Sequence, residues 1–368
     1  MKKVGILSMQ RIANYGSFLQ AYGLKSILEE LDCQVQFVDY RVGPCLVDAD
    51  GGYGIVRKLA KVAEVFRYRA PLADKLRFIK YKKNYTSNYY PMLGISDEMN
   101  YTPELDLLVI GSDEVFNCVQ SNTNVGFSPE LFGQNHRAKR LISYAGSFGN
   151  TTLEKLEQYK VAQQVASYFR GFDAISVRDD NSGKTVETLT GRKTEYHLDP
   201  VLAYDYMGKC EKIPQTVQES GYMLLYGYSG RISAEECKAI RAYADRKGLK
   251  VYCIGGVQDC CDKFIDCNPF EVIAYFRNAE CIVTDTFHGT IMSVITHSKF
   301  ATLIRKSGYG NSEKLTDLLK RLKLECQTLD RMDRLDEILG QDIPYAETDR
   351  IIQAERERTY QYLRDQID

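Results

Sequence analysis

The 368-residue sequence has no tryptophan and only four histidines, and it lacks the short signatures that mark many enzymes. No Gly-x-Gly-x-x-Gly follows a candidate strand, so a nicotinamide or flavin site of the usual kind is unsupported. There is no Walker loop and no Gly-x-Ser-x-Gly nucleophile elbow. The eleven cysteines form no Cys-x-x-Cys pair and the scattered histidines give no zinc spacing, so no metal site is expected. No apolar run approaches the length needed to span a bilayer. The short run after Met-Lys-Lys is broken by Gln10, Arg11 and Asn14, unlike a signal peptide. A formal net charge of −1 gives no bias toward nucleic acid.

What is present is an ordinary globular composition, 44% apolar and 26% charged, with length enough for two domains that each bury a core. Cysteines such as Cys253 and Cys281 lie inside apolar runs, where a thiol behaves as a small hydrophobe; a reducing, cytoplasmic setting is expected. The 26 tyrosines suit either half-buried packing or a wet cleft in which a ring stacks and a hydroxyl bonds.

Val4–Ser8 reads as a strand, Asn14-Tyr15-Gly16-Ser17 as a turn, and Leu19, Tyr22, Gly23, Ser26 and Ile27 as one helical face, with Val35–Val38 the next strand. That is a βαβ unit, the building block of parallel sheets. Further strands are predicted over Asp106–Ile110, Leu141–Ala145, Ala174–Val177 and Glu195–Leu198. After a loop-like region near 206–220 the rhythm repeats, with strands at Tyr222–Tyr226, Lys250–Ile254, Cys281–Thr284 and Phe300–Ile304 and helices at Ala234–Lys247 and Pro269–Asn278. A charged amphipathic helix, Thr348–Gln366, closes the chain. Two successive α/β halves imply two parallel sheets, whose ligands bind at the carboxyl ends of the strands.

The polar turns at those ends are therefore the candidates for chemistry. In Thr286-Phe287-His288-Gly289, His288 stands near a helix N-terminus, where it can exchange protons beside an anion or merely cap the helix. Arg178 follows a strand and can grip a phosphate or carboxylate, or pair with Asp179. Gly16, between Asn14 and Ser17, permits close approach of a ligand to backbone N–H groups. Asp113, after Gly111-Ser112, either accepts sugar hydroxyls or caps a helix. Asp199-Pro200 reads as a structural turn, and Asn311-Ser312 as an anion site or a helix cap. Residues 57–83 carry ten Lys or Arg against Glu64 and Asp74, with Val56, Leu59, Ala63 and Phe66 at helical spacing: a solvated helix, or one that lies on an anionic membrane.

Taken in order, Asn14-Tyr15-Gly16-Ser17, Val109-Ile110-Gly111-Ser112-Asp113, Ser143-Tyr144-Ala145-Gly146-Ser147, Ser176-Val177-Arg178, Leu198-Asp199-Pro200, Thr286-Phe287-His288-Gly289-Thr290 and Gly310-Asn311-Ser312 resemble the polysaccharide pyruvyl transferase family. The resemblance implies an α/β fold of two Rossmann-like domains with a GT-B-like arrangement around an interdomain cleft. The expected divisions are an acceptor-side domain over 1–208 with the basic insertion 57–83, a donor-side domain over 209–345, and a helix over 346–368 packing back across both. It also implies transfer of pyruvyl from phosphoenolpyruvate to a sugar of a cell-surface polysaccharide precursor, giving a ketal without a cofactor. The sugar is optionally on a polyprenyl-phosphate carrier at the cytoplasmic membrane face. A nucleotide-sugar glycosyltransferase and a non-catalytic glycan-binding member are the alternatives. By resemblance His288 and Arg178 are catalytic, and Asn14, Gly16, Ser17, Ser112, Asp113, Tyr144, Thr286, Gly289, Arg305, Asn311 and Ser312 bind substrate. Some branches carry an arginine where this sequence has Thr286, and Arg305, Lys306 and Lys314 are sequence neighbours able to supply the missing cation.

Overall fold

Apolar runs bounded by turn residues become parallel strands in both halves of the chain. The structure is a computed structural model and describes residues 1–47, 66, 68, 70–305 and 312–367. In the first half β1 (Lys2–Leu7), β2 (Cys33–Phe37), β3 (Glu104–Ile110) and β4 (Arg137–Ser143) pair in the order β2-β1-β3-β4. The short pair β5 (Ser176–Val177) and β6 (Glu195–Tyr196) extends this layer through bridges from Ile142 to Ala174 and from Gly146 to Val177. The second half holds β7 (Tyr222–Tyr226), β8 (Lys250–Ile254), β9 (Lys263–Phe264), β10 (Cys281–Thr284), β11 (Phe300–Leu303) and β12 (Thr328–Leu329) in the order β12-β11-β10-β7-β8-β9. The edge strands β9 and β12 have two residues each, too few for an apolar pattern to announce them.

Strand order reverses between β1 and β3 in one sheet and between β7 and β10 in the other. Such reversals open a crevice at the carboxyl ends of the strands, because successive connections leave in opposite directions. The helices that matter for the site are α1 (Tyr15–Glu30), α2 (Leu72–Leu93), α3 (Asp180–Thr190), α4 (Pro200–Ala203), α5 (Ala234–Lys247), α6 (Pro269–Arg277), α7 (Phe287–Ile295), α8 (Ser312–Arg321) and α9 (Tyr345–Ile367). The two halves are thus Rossmann-like α/β units that face one another.

Aromatic side chains join them. Phe18 of α1 meets Phe270 of α6 edge-on at 5.7 Å, and Phe78 of α2 meets Phe264 of β9 at 5.2 Å. Burying each such ring is worth roughly 1.5–3 kcal/mol. The hydroxyls of Tyr15 and Tyr89 both donate to the Cys267 carbonyl, at 2.8 and 3.0 Å, so these two rings are buried with their polar atoms satisfied, while the Tyr85 hydroxyl between them finds no partner among the described residues. Helix α9 runs back to the first sheet, where the Tyr362 hydroxyl donates to the Ser143 carbonyl at 2.8 Å and Thr359 meets the Tyr144 hydroxyl at 3.1 Å. All cysteines except Cys45 and Cys326 are buried, and all eleven are free thiols. Val56, Leu59 and Ala63 of the basic stretch lie outside the described residues, whereas its end, from Leu72, forms the first half of α2.

Candidate functional site

A cavity of about 280 Å³ lies between the two halves, lined from one side by Asn14, Ser17, Asp113, Glu114 and Arg178 and from the other by Tyr226, Tyr228, Arg231, Thr286, Phe287, His288 and Lys314. These residues cluster at the carboxyl ends of β1, β3, β5, β7 and β10 and at the start of α8, where the two crevices meet.

The geometry centres on Asp199. This carboxylate is fully buried and caps α4, with Oδ1 accepting from the Val201 N–H at 3.0 Å. Its Oδ2 accepts from Arg178 Nη1 at 2.7 Å. The same oxygen lies 3.4 Å from Nε2 of His288, within ion-pair range though off the line of a hydrogen bond. Arg178 comes from the first half and His288 from the second, so one carboxylate binds a guanidinium and an imidazole across the domain boundary. Burial alone would push the Asp199 carboxyl up. The charges on His288 and Arg178 outweigh that and hold it below its ordinary range.

Arg178 is itself buried, with its guanidinium carbon 4.5 Å from the centre of the Phe287 ring, a second contact across the boundary. Its Nη2 reaches Asp113 Oδ1 at 3.3 Å, and its Nε has no hydrogen-bond partner among the described residues. Burial would lower its pKa, but Asp113 and Asp199 more than offset this and raise it, so the cation is permanent.

Asp113 adopts a left-handed φ of 73°, a conformation unfavourable by about 1–2 kcal/mol for a residue with a side chain. Backbone pairing holds it there, since its carbonyl accepts from Ser147 N at 2.9 Å. The reward is a carboxylate at the cavity floor that also accepts from Ser17 Oγ at 2.9 Å. Ser17 in turn sits in the first turn of α1, whose N-cap is Asn14: Asn14 Oδ1 accepts from the Ser17 N–H at 2.7 Å. On the facing side Thr286 caps α7, accepting from Gly289 N at 2.9 Å, and so fixes His288 in the first helical turn. The His288 ring lies directly over Gly16, where no side chain intervenes.

Most of the residues singled out from sequence are brought together: Asn14, Gly16, Ser17, Asp113, Arg178, Thr286 and His288 surround the cavity or touch a residue that does. Others stand elsewhere. Ser112 is fully buried, with its hydroxyl on Gln20 Oε1 at 3.0 Å and its carbonyl on Ser8. Tyr144 is buried against α9, donating to the Leu198 carbonyl at 2.9 Å. Gly289 serves the α7 cap. Ser312 begins α8 and bonds the Arg305 carbonyl, while Asn311 and Lys306 lie outside the described residues. Arg305 is tied to Glu236, at 3.0 and 2.9 Å, and to Asp285 at 2.8 Å, and does not line the cavity. Lys314 does, paired with Glu114.

Sequence reasoning missed Asp199 as a site residue and missed Arg231 entirely. Arg231 follows β7 at the second switch point, and its Nε pairs with Asp285 Oδ2 at 2.8 Å. Its only signal was that position, one turn past an apolar strand. Among the described residues every Arg or Lys of the cavity thus stands beside a carboxylate: Arg178 by Asp113 and Asp199, Lys314 by Glu114, Arg231 by Asp285.

Comparison with known proteins agrees with the sequence motifs. The family model for polysaccharide pyruvyl transferase matches residues 14–307. No curated protein sequence matches. Among solved structures, a UDP-GlcNAc 2-epimerase of Methanocaldococcus jannaschii aligns at 9% identity and TM-score 0.48, covering 96% of this chain and 99% of that one. The calicheamicin glycosyltransferase aligns at 11% identity and TM-score 0.46, covering 100% and 98%. An O-GlcNAc transferase variant of Thermobaculum terrenum aligns at 11% and 0.46, covering 99% of this chain but only 66% of that longer one.

Proposed function

The chain belongs to the polysaccharide pyruvyl transferase family, and from that premise we propose that it moves the pyruvyl group of phosphoenolpyruvate onto two hydroxyls of one sugar, forming a cyclic ketal and releasing inorganic phosphate. The observation that carries the reading is the Arg178–Asp199–His288 cluster, in which a permanent cation and a proton carrier are held together over one cavity.

The donor brings a phosphate and a carboxylate. Out of water these need charged or N–H partners. One charge pair at about 4 Å contributes roughly 4 kcal/mol at an effective ε near 20. Arg178, with its unbonded Nε, takes the phosphate, and Arg231 and Lys314 face the same space from the second domain. The first-turn N–H groups of Tyr15 and Gly16, which the Asn14 side chain does not occupy, suit the carboxylate.

The reaction needs a proton on the donor methylene, which leaves positive character at C2. A sugar hydroxyl adds there and loses its proton, phosphate leaves with the C2–O electron pair, and the second hydroxyl closes the ring with loss of its own proton. The sum balances without a redox carrier. His288 moves the protons: Asp199 stands at Nε2, and the Nδ1 edge crosses Gly16 toward the α1 N-terminus. Asp113, with Ser17, holds and deprotonates the acceptor hydroxyl from the cavity floor.

The test is release of phosphate from phosphoenolpyruvate in the presence of oligosaccharide or lipid-linked sugar acceptors, with a product heavier than the acceptor by roughly 70 Da, the mass of pyruvate less water in a group transfer. Release without acceptor, or consumption of nucleotide sugars in its place, would overturn the reading.

A further inference from the structure

Helix α2 carries its apolar residues on two opposite faces. Phe78, Tyr81, Tyr85 and Tyr89 recur at spacings of three and four and are buried against the domain seam. Leu72 and Leu76, one turn apart, point the other way and are 62% and 54% exposed. Phe66 adds a third large apolar side chain, 44% exposed, and Lys75 donates to its carbonyl at 3.0 Å. Continuing the outward stripe, Lys80 and Lys83 stand one and two turns beyond Leu76, both exposed.

The charge around this stripe is one-sided. Between Leu72 and Lys83 there are five cations, Lys75, Arg77, Lys80, Lys82 and Lys83, in a chain whose formal net charge is −1. The one acid in that span, Asp74, is buried and paired with Arg77 at 2.5 Å, and Asp266 on the adjoining turn is a further carboxylate within the field of Arg77 and Lys80. Exposed leucines rimmed by lysines are the composition of a surface that lies in the headgroup region of an anionic bilayer, apolar side chains inserted and ammonium groups at the phosphates. An acidic protein partner would satisfy the lysines but gives no reason for two leucines left in water; a second copy would bring like charge against like.

We propose that the outward face of α2 is a docking surface for an anionic lipid bilayer. The helix runs beside the cavity: Lys82, on the flank between its two faces, has its Nζ over the Phe78 and Tyr81 rings and 3.5 Å from the carbonyl of Ala13, the residue before Asn14 on the cavity wall. A chain seated on the bilayer through α2 thus presents its cleft at the membrane, within reach of a sugar anchored there. Docking does not depend on the reaction proposed above, and its failure would leave phosphate release untouched.

Co-flotation of the full chain with unilamellar vesicles decides it. Binding is expected to vesicles of mixed phosphatidylcholine and phosphatidylglycerol, to weaken with added salt, and to be absent with phosphatidylcholine alone. Two double variants, Leu72→Ser with Leu76→Ser and Lys80→Glu with Lys83→Glu, are each expected to lower partitioning by about tenfold or more while keeping the wild-type thermal midpoint, since these side chains touch solvent. No binding to the anionic vesicles at low salt, wild-type binding by either variant, or a dimer in light scattering that the leucine variant dissolves would overturn the proposal.

Discussion

The imidazole of His288 rests on the backbone of Gly16: a methyl group built on that glycine would lie 2.3 Å from Nδ1 and 2.4 Å from Cγ. The two residues are 272 positions apart and lie in the first turns of helices that follow β1 and β10, strands of different sheets, so their contact is a property of the closed cleft. Gly16→Ala is expected to displace the ring by about an ångström and lower turnover about 10²-fold, as misplacement on that scale does. Steady-state phosphate release checks it. Wild-type turnover in that variant, with an unchanged thermal midpoint, would detach His288 from the chemistry.

His288→Ala removes the proposed proton carrier but little packing, for the ring sits at the cavity rather than in a core. Turnover is expected to fall by about 10²–10⁴. Donor binding, measured by calorimetry with phosphoenolpyruvate, should change far less, because the cations stay in place.

Arg231 faces the cavity and is steered by Asp285. Arg231→Gln keeps the length and a hydrogen-bond donor but loses the charge. The KM for phosphoenolpyruvate is expected to rise by about 10–100-fold, the equivalent of one hydrogen bond to a charged group, with a smaller change in kcat.

Stability in acid should report His197. It is buried, with Nδ1 at 2.8 Å from Ser176 Oγ, and burial lowers its pKa to about 3. Between pH 6.5 and that value the unfolded chain takes up a proton that the folded chain refuses. Stability therefore falls with falling pH across this window, by about 1.4 kcal/mol per pH unit from this one site. Urea midpoints of the wild type should drop from pH 7 to pH 5 more steeply than those of His197→Gln. His136 is shifted the same way by burial, so the variant flattens the slope without abolishing it.

The two-sheet organisation was legible because buried parallel strands are nearly continuous apolar runs; β7 and β8 match their expected bounds, Tyr222–Tyr226 and Lys250–Ile254. β4 begins earlier than expected, at Arg137, because three of its first four residues are charged and only pairing with β3 makes them a strand. The site was legible where a strand ends in a polar turn, as at Asp113, Arg178 and His288. Asp199 escaped because its sequence signal, an acid before proline, is that of a helix cap; it is a helix cap, and its second oxygen does the rest. Ser112 and Tyr144 share the motif positions but face inward, which no spacing rule reports.

His288 is the only one of its cluster carried by the second sheet; Gly16, Arg178 and Asp199 all ride on the first. Parting the halves by a few ångströms would therefore strip the imidazole of its anionic neighbour and its resting place in one movement. On the reaction proposed above, an agape molecule would keep Arg178 but have no imidazole beside it to protonate a donor, and so would be spared from wasting that donor on water before a sugar arrives.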